Sequence, residues 1–441
     1  MKRPRAVCPV EEFSRRFSMN FRKMAAGLVV LMLLTTWAFA AGSSEPRAEA
    51  QAADLTFTLW SGNEAHLTLF RSIADAYMAQ DPNVRSVTYQ TIPHGSYLER
   101  ITLQASGRNA PDAGWLFERA GTAFMDAGVL LDLRSALNRH DFDDFAPAIL
   151  SLWQRGDAVY GVPFSTSPMV IFYNADMFSE AGVPTPTELQ ARGEWTWERF
   201  REVARTIRER TGKFAYRGPA FDETPIRVMV PTMAAYGAQV WDDAGNVTVN
   251  SPEAIRAIQL YHDMLFRDQS VVPPGNLSDF FAGDVASTAT FISFAAQLAN
   301  VDWEWGIAKL PAGPAGQPGV IGQSSIVAFS RSDNPEVAAD FVAFMTNREN
   351  MTRLAQFFPP SRNSVLESDT FINGNPHISG ALMASVIVPS MQAGQVLPVH
   401  EQYANLLLTA QPFLDRLWRP GADVRAVLNE LADAWRPIVA N

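Results

Sequence analysis

Cysteine is all but missing from this chain of 441 residues: Cys8 is the only one. It precedes a long apolar run, so a chain that loses that run keeps no thiol, no disulfide and no cysteine to carry a lipid. Histidine is also scarce. His66, His94, His140, His262, His377 and His400 are scattered, with no pair four apart and no His-Glu-x-x-His, which argues against a metal site. There is no Gly-x-x-x-x-Gly-Lys-Ser/Thr loop. Gly313, Gly316 and Gly319 sit among prolines with no helix behind them, so they make no phosphate cradle, and no Gly-x-Ser-x-Gly elbow occurs. Neither a cofactor nor a metal is expected. Positive charge is in deficit too, with 36 Lys and Arg against 46 Asp and Glu.

The first 40 residues read as a signal peptide. Arg15, Arg16, Arg22 and Lys23 form a basic flank, Met24–Trp37 is nearly all apolar, and Ala38-Phe39-Ala40 supplies small residues two apart before Ala41-Gly42. A membrane anchor is the competing reading. The run reaches only the lower limit for a span, and Thr35-Thr36 interrupts it, so cleavage is favoured. Met19 would also serve as a start. Removing residues 1–40 takes away seven basic and two acidic residues, leaving 29 against 44 and a net charge of −15. So acidic a chain suits neither nucleic acid nor anionic lipid. Export without a lipobox cysteine predicts a periplasmic location. About 400 residues imply more than one core.

From Asp54 the pattern is regular. Leu55–Leu59 alternates into Trp60 as a strand; Leu67, Phe70, Ile73, Ala74 and Tyr77 keep helical spacing. Arg85–Thr91 is a second strand, Ser96–Ser106 a helix, Pro111–Phe117 a third strand and Ala120–Ala127 a helix closed by Gly128. Strand–helix alternation implies a parallel sheet with crossover helices, whose ligands bind beyond the strands' carboxyl ends. Those ends are Trp60–Glu64 and Phe117–Arg119. The stretch Tyr160–Asn174 divides this block from a mainly helical one. Its polar bend Ser165-Thr166-Ser167-Pro168 leads into the apolar run Met169–Tyr173. Two readings stand: one more strand of a large sheet, or a segment crossing from one lobe to a second with its bend in the cleft. Beyond it, Trp195–Arg210 and Thr224–Tyr236 read as helices, and Ser251-Pro252-Glu253 and Asn334-Pro335-Glu336 as helix starts. Ser287–Ile292, Trp305–Leu310 and Val320–Phe329 read as strands, and the rest as helical with breaks at Phe358–Arg362 and Gln395–Pro398.

Aromatics at loop boundaries stand out: Trp60, Trp115, Phe117, Phe221, Trp241, Phe291, Phe294, Phe358 and Tyr403. Each alone is more readily core than site. Beside Asn, Glu, Asp and Arg, though, such rings are what a sugar needs: its C–H face stacks on a ring while its hydroxyls take planar polar partners. Carboxylates are plentiful, and a pair such as Asp112 and Glu118 would suffice for a glycosidase, although an acidic chain of this length offers many such pairs.

Several ordered features carry a resemblance. They are the strand into Trp60-Ser61-Gly62; Pro111-Asp112 before an aromatic strand ending at Glu118-Arg119; Tyr160-Gly-Val-Pro163 ten residues before Tyr173-Asn174-Ala-Asp176; Trp195–Phe200; Val249–Glu253; Gly322-Gln-Ser-Ser; and Asn334-Pro-Glu336. From Asp54 to the end the chain resembles the extracellular solute-binding proteins of ABC sugar importers, in the maltose-binding-protein-like group. The resemblance implies an α/β, two-lobed periplasmic-binding-protein fold of type II, each lobe a mainly parallel sheet flanked by helices, with a ligand cleft at the hinge. Residues 54–164 and 285–330 would form lobe 1, and 165–284 and 331–441 lobe 2. Ligand contacts would fall on Trp60, Gly62, Asn63, Glu64, Phe117, Glu118, Arg119, Ser165, Thr166, Phe221, Asp222, Trp241, Phe291, Ser293, Phe294, Gly322, Gln323 and Arg362. It further implies capture of a sugar or oligosaccharide without turnover, delivery to ABC permease subunits, and a monomer. Where maltose binders carry an acid or Trp, this chain has Ser165, Leu116 and a Phe, so maltose itself is not carried over. The alternatives are a non-sugar solute (polyol, glycerophosphodiester or polyamine) and a secreted carbohydrate-active enzyme.

Overall fold

The computed structural model describes residues 52–440, apart from 108, 141, 146, 220–224, 243 and 300. The expected signal peptide lies outside the described residues. Three strands and their helices open the fold: β1 (Ala53–Leu59), the helix Glu64–Gln80, β2 (Val84–Thr91), the helix His94–Ser106, β3 (Ala113–Phe117) and the helix Glu118–Asp126. β1 pairs in parallel with both β2 and β3, so β1 is central and all three carboxyl ends face one edge. Each end gives way at once to a loop or helix that begins the next crossover, which presents Trp60, His94 and Phe117 side by side.

A short hairpin of β4 (Gln154–Arg155) and β5 (Ala158–Val159) precedes β6 (Val162–Asn174), whose 13 residues are all buried. β7 (Ser287–Phe291), β8 (Trp305–Ala308), β9 (Gly319–Ala328) and β10 (Gly394–Val396) complete one eight-stranded sheet, with main order β2-β1-β3-β9-β6-β7. β6 changes neighbours part-way. Val162–Pro168 runs antiparallel to β9, whereas Met169–Asn174 lies between β7 and β8, antiparallel to both. The switch falls at Pro168, which has no N–H for a ladder. Both readings of this stretch thus hold in part: it belongs to one continuous sheet, and it crosses from one neighbourhood to another. Parallel pairing is confined to β1–β3, to β10 on β9 and to isolated bridges such as Tyr216 with Val271.

Two apolar cores flank the crossing, and β6 feeds both. Val170 and Phe172 point into the first, while Met169, Ile171 and Tyr173 point into the second, as the two-residue period of a strand requires. The first core also holds β1–β3 and the residues from Ala338 to Met391. The second gathers the helices Trp197–Thr211, Pro225–Ala235, Pro252–Phe266, Tyr403–Leu417 and Val424–Val439. This departs from the segment boundary expected at 331, whereas Val285, Ile292, Ala295, Leu298 and Ile307 lie in the first core with β1–β3. β7 and β8 ladder onto the far half of β6 rather than onto β1–β3, and the helix Pro335–Met345 packs with the first core. The helical composition of 331–391 gave no sign of which core its apolar face would meet. Among the described residues no helix is long and apolar enough to cross a membrane.

Candidate functional site

A cavity of about 590 Å³ opens where the carboxyl ends of β1–β3 meet the crossing strands. Its first wall is aromatic. Trp60 stacks on Phe117 with ring centroids 4.1 Å apart and planes 16° off parallel. His94 meets the Phe117 ring edge-on at 5.2 Å, and the Arg119 guanidinium lies 4.2 Å from the Phe117 centroid. Stacking of this kind adds about 0.5–1.5 kcal/mol beyond burial and fixes a rigid plate. Among the described residues nothing accepts a hydrogen bond from Arg119, so its planar fork of donors is available to a ligand.

The floor comes from β6 and β9. Ser165 pairs with Ser324 and Ser167 with Gly322, and all four face the cavity. The hydroxyl of Ser167 has no hydrogen-bond partner among the described residues. Gly322 is needed for shape: a Cβ there would stand 2.7 Å from Cζ of Phe291, whose ring lies over the strand. The opposite wall carries Phe291 with Arg227 5.5 Å from its centroid, Phe281 stacked with Phe294 at 6.0 Å, and Arg217 beside Asp279 at 3.9 Å. Glu118 is buried at the cavity's inner edge. Burial pushes its carboxyl above the ordinary range, against the pull of Arg119, Arg227 and the backbone N–H groups of Glu118 and Gln323. Close by, burial pushes the Tyr403 phenol up to about 12.

Of the residues expected at the site, Trp60, Phe117, Glu118, Arg119, Ser165, Phe291, Ser293, Phe294, Gly322 and Gln323 line this cavity. The side chain of Gln323 is turned away, accepting from Nε1 of Trp153 at 3.4 Å and donating to the Ile149 carbonyl at 3.1 Å. Phe221 and Asp222 lie outside the described residues. The others are corrections. Thr166 sits on the reverse face of β6, its hydroxyl donating to the carbonyls of Pro359 and Pro360. Asn63 is spent on starting a helix, its Oδ1 accepting from the N–H groups of Ala65 and His66, and Gly62 and Glu64 beside it are exposed and outside the cavity lining. Arg362 is fully buried elsewhere. It donates to the Thr346 and His140 carbonyls at 2.7 and 2.8 Å, lies 3.5 Å from Asp144 and stacks on Phe145. Trp241 lines a different cavity. Asp112 does not reach the cleft, because its carboxylate accepts from the Thr56 N–H and the Ser332 hydroxyl; the Asp112 and Glu118 pair is therefore not built.

Sequence reasoning missed His94, Ser167, Met169, Arg217, Arg227 and Asp279 among the lining. His94 follows the second strand, and the carboxyl-end rule applied to all three strands would have found it. Ser167 was legible from the two-residue period once Ser165 was placed. The two arginines and Asp279 sit in irregular or helical stretches with no local signal. Among the described residues no three His, Cys, Asp or Glu side chains are grouped to hold a metal.

The chain is 22% identical over 409 residues to the arabinooligosaccharide-binding protein of Bacillus subtilis (strain 168), an alignment covering 87% of this chain and 92% of that one. An ABC substrate-binding protein from Listeria monocytogenes in complex with cycloalternan superposes with a TM-score of 0.74 at 20% identity, covering 87% of this chain and 98% of that one. UgpB from Mycobacterium tuberculosis in complex with glycerophosphocholine gives 0.73 at 20% identity, covering 88% and 98%. These likenesses place the fold among the type II periplasmic binding proteins. Residues 62–352 match the bacterial extracellular solute-binding proteins as a family, and the chain belongs to that family.

Proposed function

We propose that this protein is the extracytoplasmic binding component of an ABC importer, and that it captures a sugar or oligosaccharide in the cleft and hands it to membrane permease subunits. The observation that carries the reading is the Trp60–Phe117 plate with Arg119 beside it, set in one cavity with the hydroxyl of Ser167, unpartnered among the described residues, and with Arg217 and Arg227. A ring plate takes the apolar face of a pyranose or furanose, and a guanidinium and serine hydroxyls take its rim. The name of the Bacillus subtilis relative supports a sugar. The two cores on either side of β6 and β9 act as lobes that close over the ligand, and the closed form is what the permease recognises. We divide the chain into one lobe built on residues 53–162 and 326–391 and another built on 175–266 and 397–440, joined by the crossing strands and by the segment 271–310, which sends side chains into both cores. The protein acts as a monomer without turnover, exported by cleavage after residue 40.

A second reading has one observation in its favour: Arg119, Arg217 and Arg227 bring three cations to a cavity with two acids, Glu118 and Asp279, which suits a glycerophosphodiester. Thermal unfolding of residues 42–441 with a panel of mono- and oligosaccharides, polyols and glycerophosphodiesters at about 1 mM separates the two. A ligand with Kd near 1 μM adds about 4 kcal/mol to stability. One sugar that shifts the midpoint and is recovered unchanged supports the proposal. A shift by the phosphodiester alone replaces it with the second reading, and a sugar consumed during incubation makes the protein an enzyme.

A further inference from the structure

A second cavity, also about 590 Å³, lies beyond the first and is mainly apolar. Met233, Val240 and Trp241 line it with Val320 and Leu397, and Gln239 and His400 supply polar groups. Two observations join it to the cleft. A gap of about 10 Å³ between them shares Glu118, Arg119 and Arg227 with the first cavity, and Val230, Leu397 and Pro398 with the second; Tyr403 stands in it. The cavities also open on the same face of β9. Ser324 and Gly322 line the first and Val320 the second at two-residue spacing, with the Gln323 side chain between them turned to the other face, so the two ends lie about 13 Å apart along the strand at about 3.3 Å per residue.

We infer that the two cavities are successive parts of one groove, so that the ligand is a linear oligosaccharide threading between Arg119 and Tyr403 to rest its far unit against Trp241. The inference rests on the sugar reading above and goes beyond it, because it fixes a minimum length and gives Trp241 a place. A single sugar unit occupies only the Trp60–Phe117 end. The second cavity offers the same chemistry in weaker form: an aromatic ring for a C–H face, and Gln239 and His400 for hydroxyls. The neck holds about one water as it stands. Arg119 is the side chain placed to open it, since it rests on Phe117 and has no hydrogen-bond partner among the described residues.

The test is calorimetric titration of the chain with arabino- and malto-oligosaccharides of one to five units, against the wild type, Trp241→Ala and Val399→Trp. The first variant removes the far ring and the second fills the cavity from a half-buried wall position. The expected result is that wild-type affinity rises at least tenfold once the chain is long enough to pass the neck. Both variants should lose that increment while binding the shortest ligands within twofold of wild type. No gain with length, or variants that weaken all lengths equally, overturns the extended groove and leaves sugar binding standing. A wild type that binds no sugar of any length overturns the sugar reading and the groove with it. Should Trp241→Ala fail to fold because Trp241 packs against Trp435, Val399→Trp decides alone.

Discussion

Two arginines separate binding from stability at the level of single side chains. Arg119 is half-buried over an aromatic ring at the cleft, whereas Arg362 is wholly buried among carbonyls, Asp144 and Phe145. Arg119→Ala should weaken ligand binding by about 1.5–3 kcal/mol, the worth of a charged hydrogen bond, with little change in melting temperature. Arg362→Ala should do the reverse, costing about 3–5 kcal/mol of stability by removing the donor to the Thr346 and His140 carbonyls and the ion partner of Asp144, which Ser364 still holds, with Kd unchanged in whatever fraction folds. Paired titration and thermal melts decide it; a binding loss in the folded Arg362 variant would return that residue to the site. Glu118 gives a pH prediction. Its native pKa is raised by burial above the ordinary 4.5, so the folded chain holds that proton more tightly than the unfolded chain does. The stability this lends is full below about pH 4.5 and is lost as pH rises through the native value. Glu118→Gln should therefore gain on wild type as pH climbs from 4 to 7, measured by denaturant midpoints. A difference that stays flat with pH would mean that Arg119 and Arg227 offset the burial, leaving the native and unfolded carboxyls equally acidic.

At the scale of elements, the alternation of β6 decides what is site and what is scaffold. Ser165, Ser167 and Met169 face the ligand cavity, while Thr166 and Pro168 face away. The composition of the bend marked this stretch as special; its period assigns the faces, and reading Ser165 and Thr166 together overlooked that period. The loop after β1 shows a different limit. Asn63 is polar and beyond a carboxyl end, which fits a ligand contact, but the same oxygen is an ideal helix cap, and the helix takes it. Arg362 was misread because an arginine in a Pro/Ser break resembles an exposed loop until its carbonyl partners, distant in sequence, are known. On β9, Gly322 is a matter of close approach, with no unusual backbone angle involved. Gly322→Ala would drive a methyl into Phe291 and shift the ring, with a cost of about 1–3 kcal/mol for overpacking and about a tenfold loss of ligand affinity. Adding Phe291→Ala should recover the stability without the affinity, and a double-mutant cycle reads the coupling directly. Strictly additive effects would mean that the two do not meet.

For the whole molecule, the order of strands and helices was legible because each apolar period was long and clearly bounded, as in Leu55–Leu59 and Trp195–Arg210. The assignment of segments to cores was not, because it depends on contacts such as that of Tyr77 with Phe341, far apart in the chain, and an amphipathic helix does not name the surface it will cover. The same crossing that hid the partition from the sequence has a thermodynamic consequence. Two cores of this size ordinarily allow separate unfolding. Here β6 contributes to both from alternate positions, and β9 does so as well, with Val320 in the second core and Ile326 in the first. Neither core keeps its sheet if the crossing strands leave. Ligand-free unfolding should therefore be a single transition, coincident by far-UV circular dichroism and tryptophan fluorescence, and a bound ligand should move it as one. Buried tryptophans report on each side: Trp115 and Trp153 lie in the first core, Trp197 and Trp435 in the second. Variants keeping tryptophan in only one core should melt at the same denaturant concentration by fluorescence. Midpoints that separate by core would show that the crossing strands join the two halves without coupling their stability.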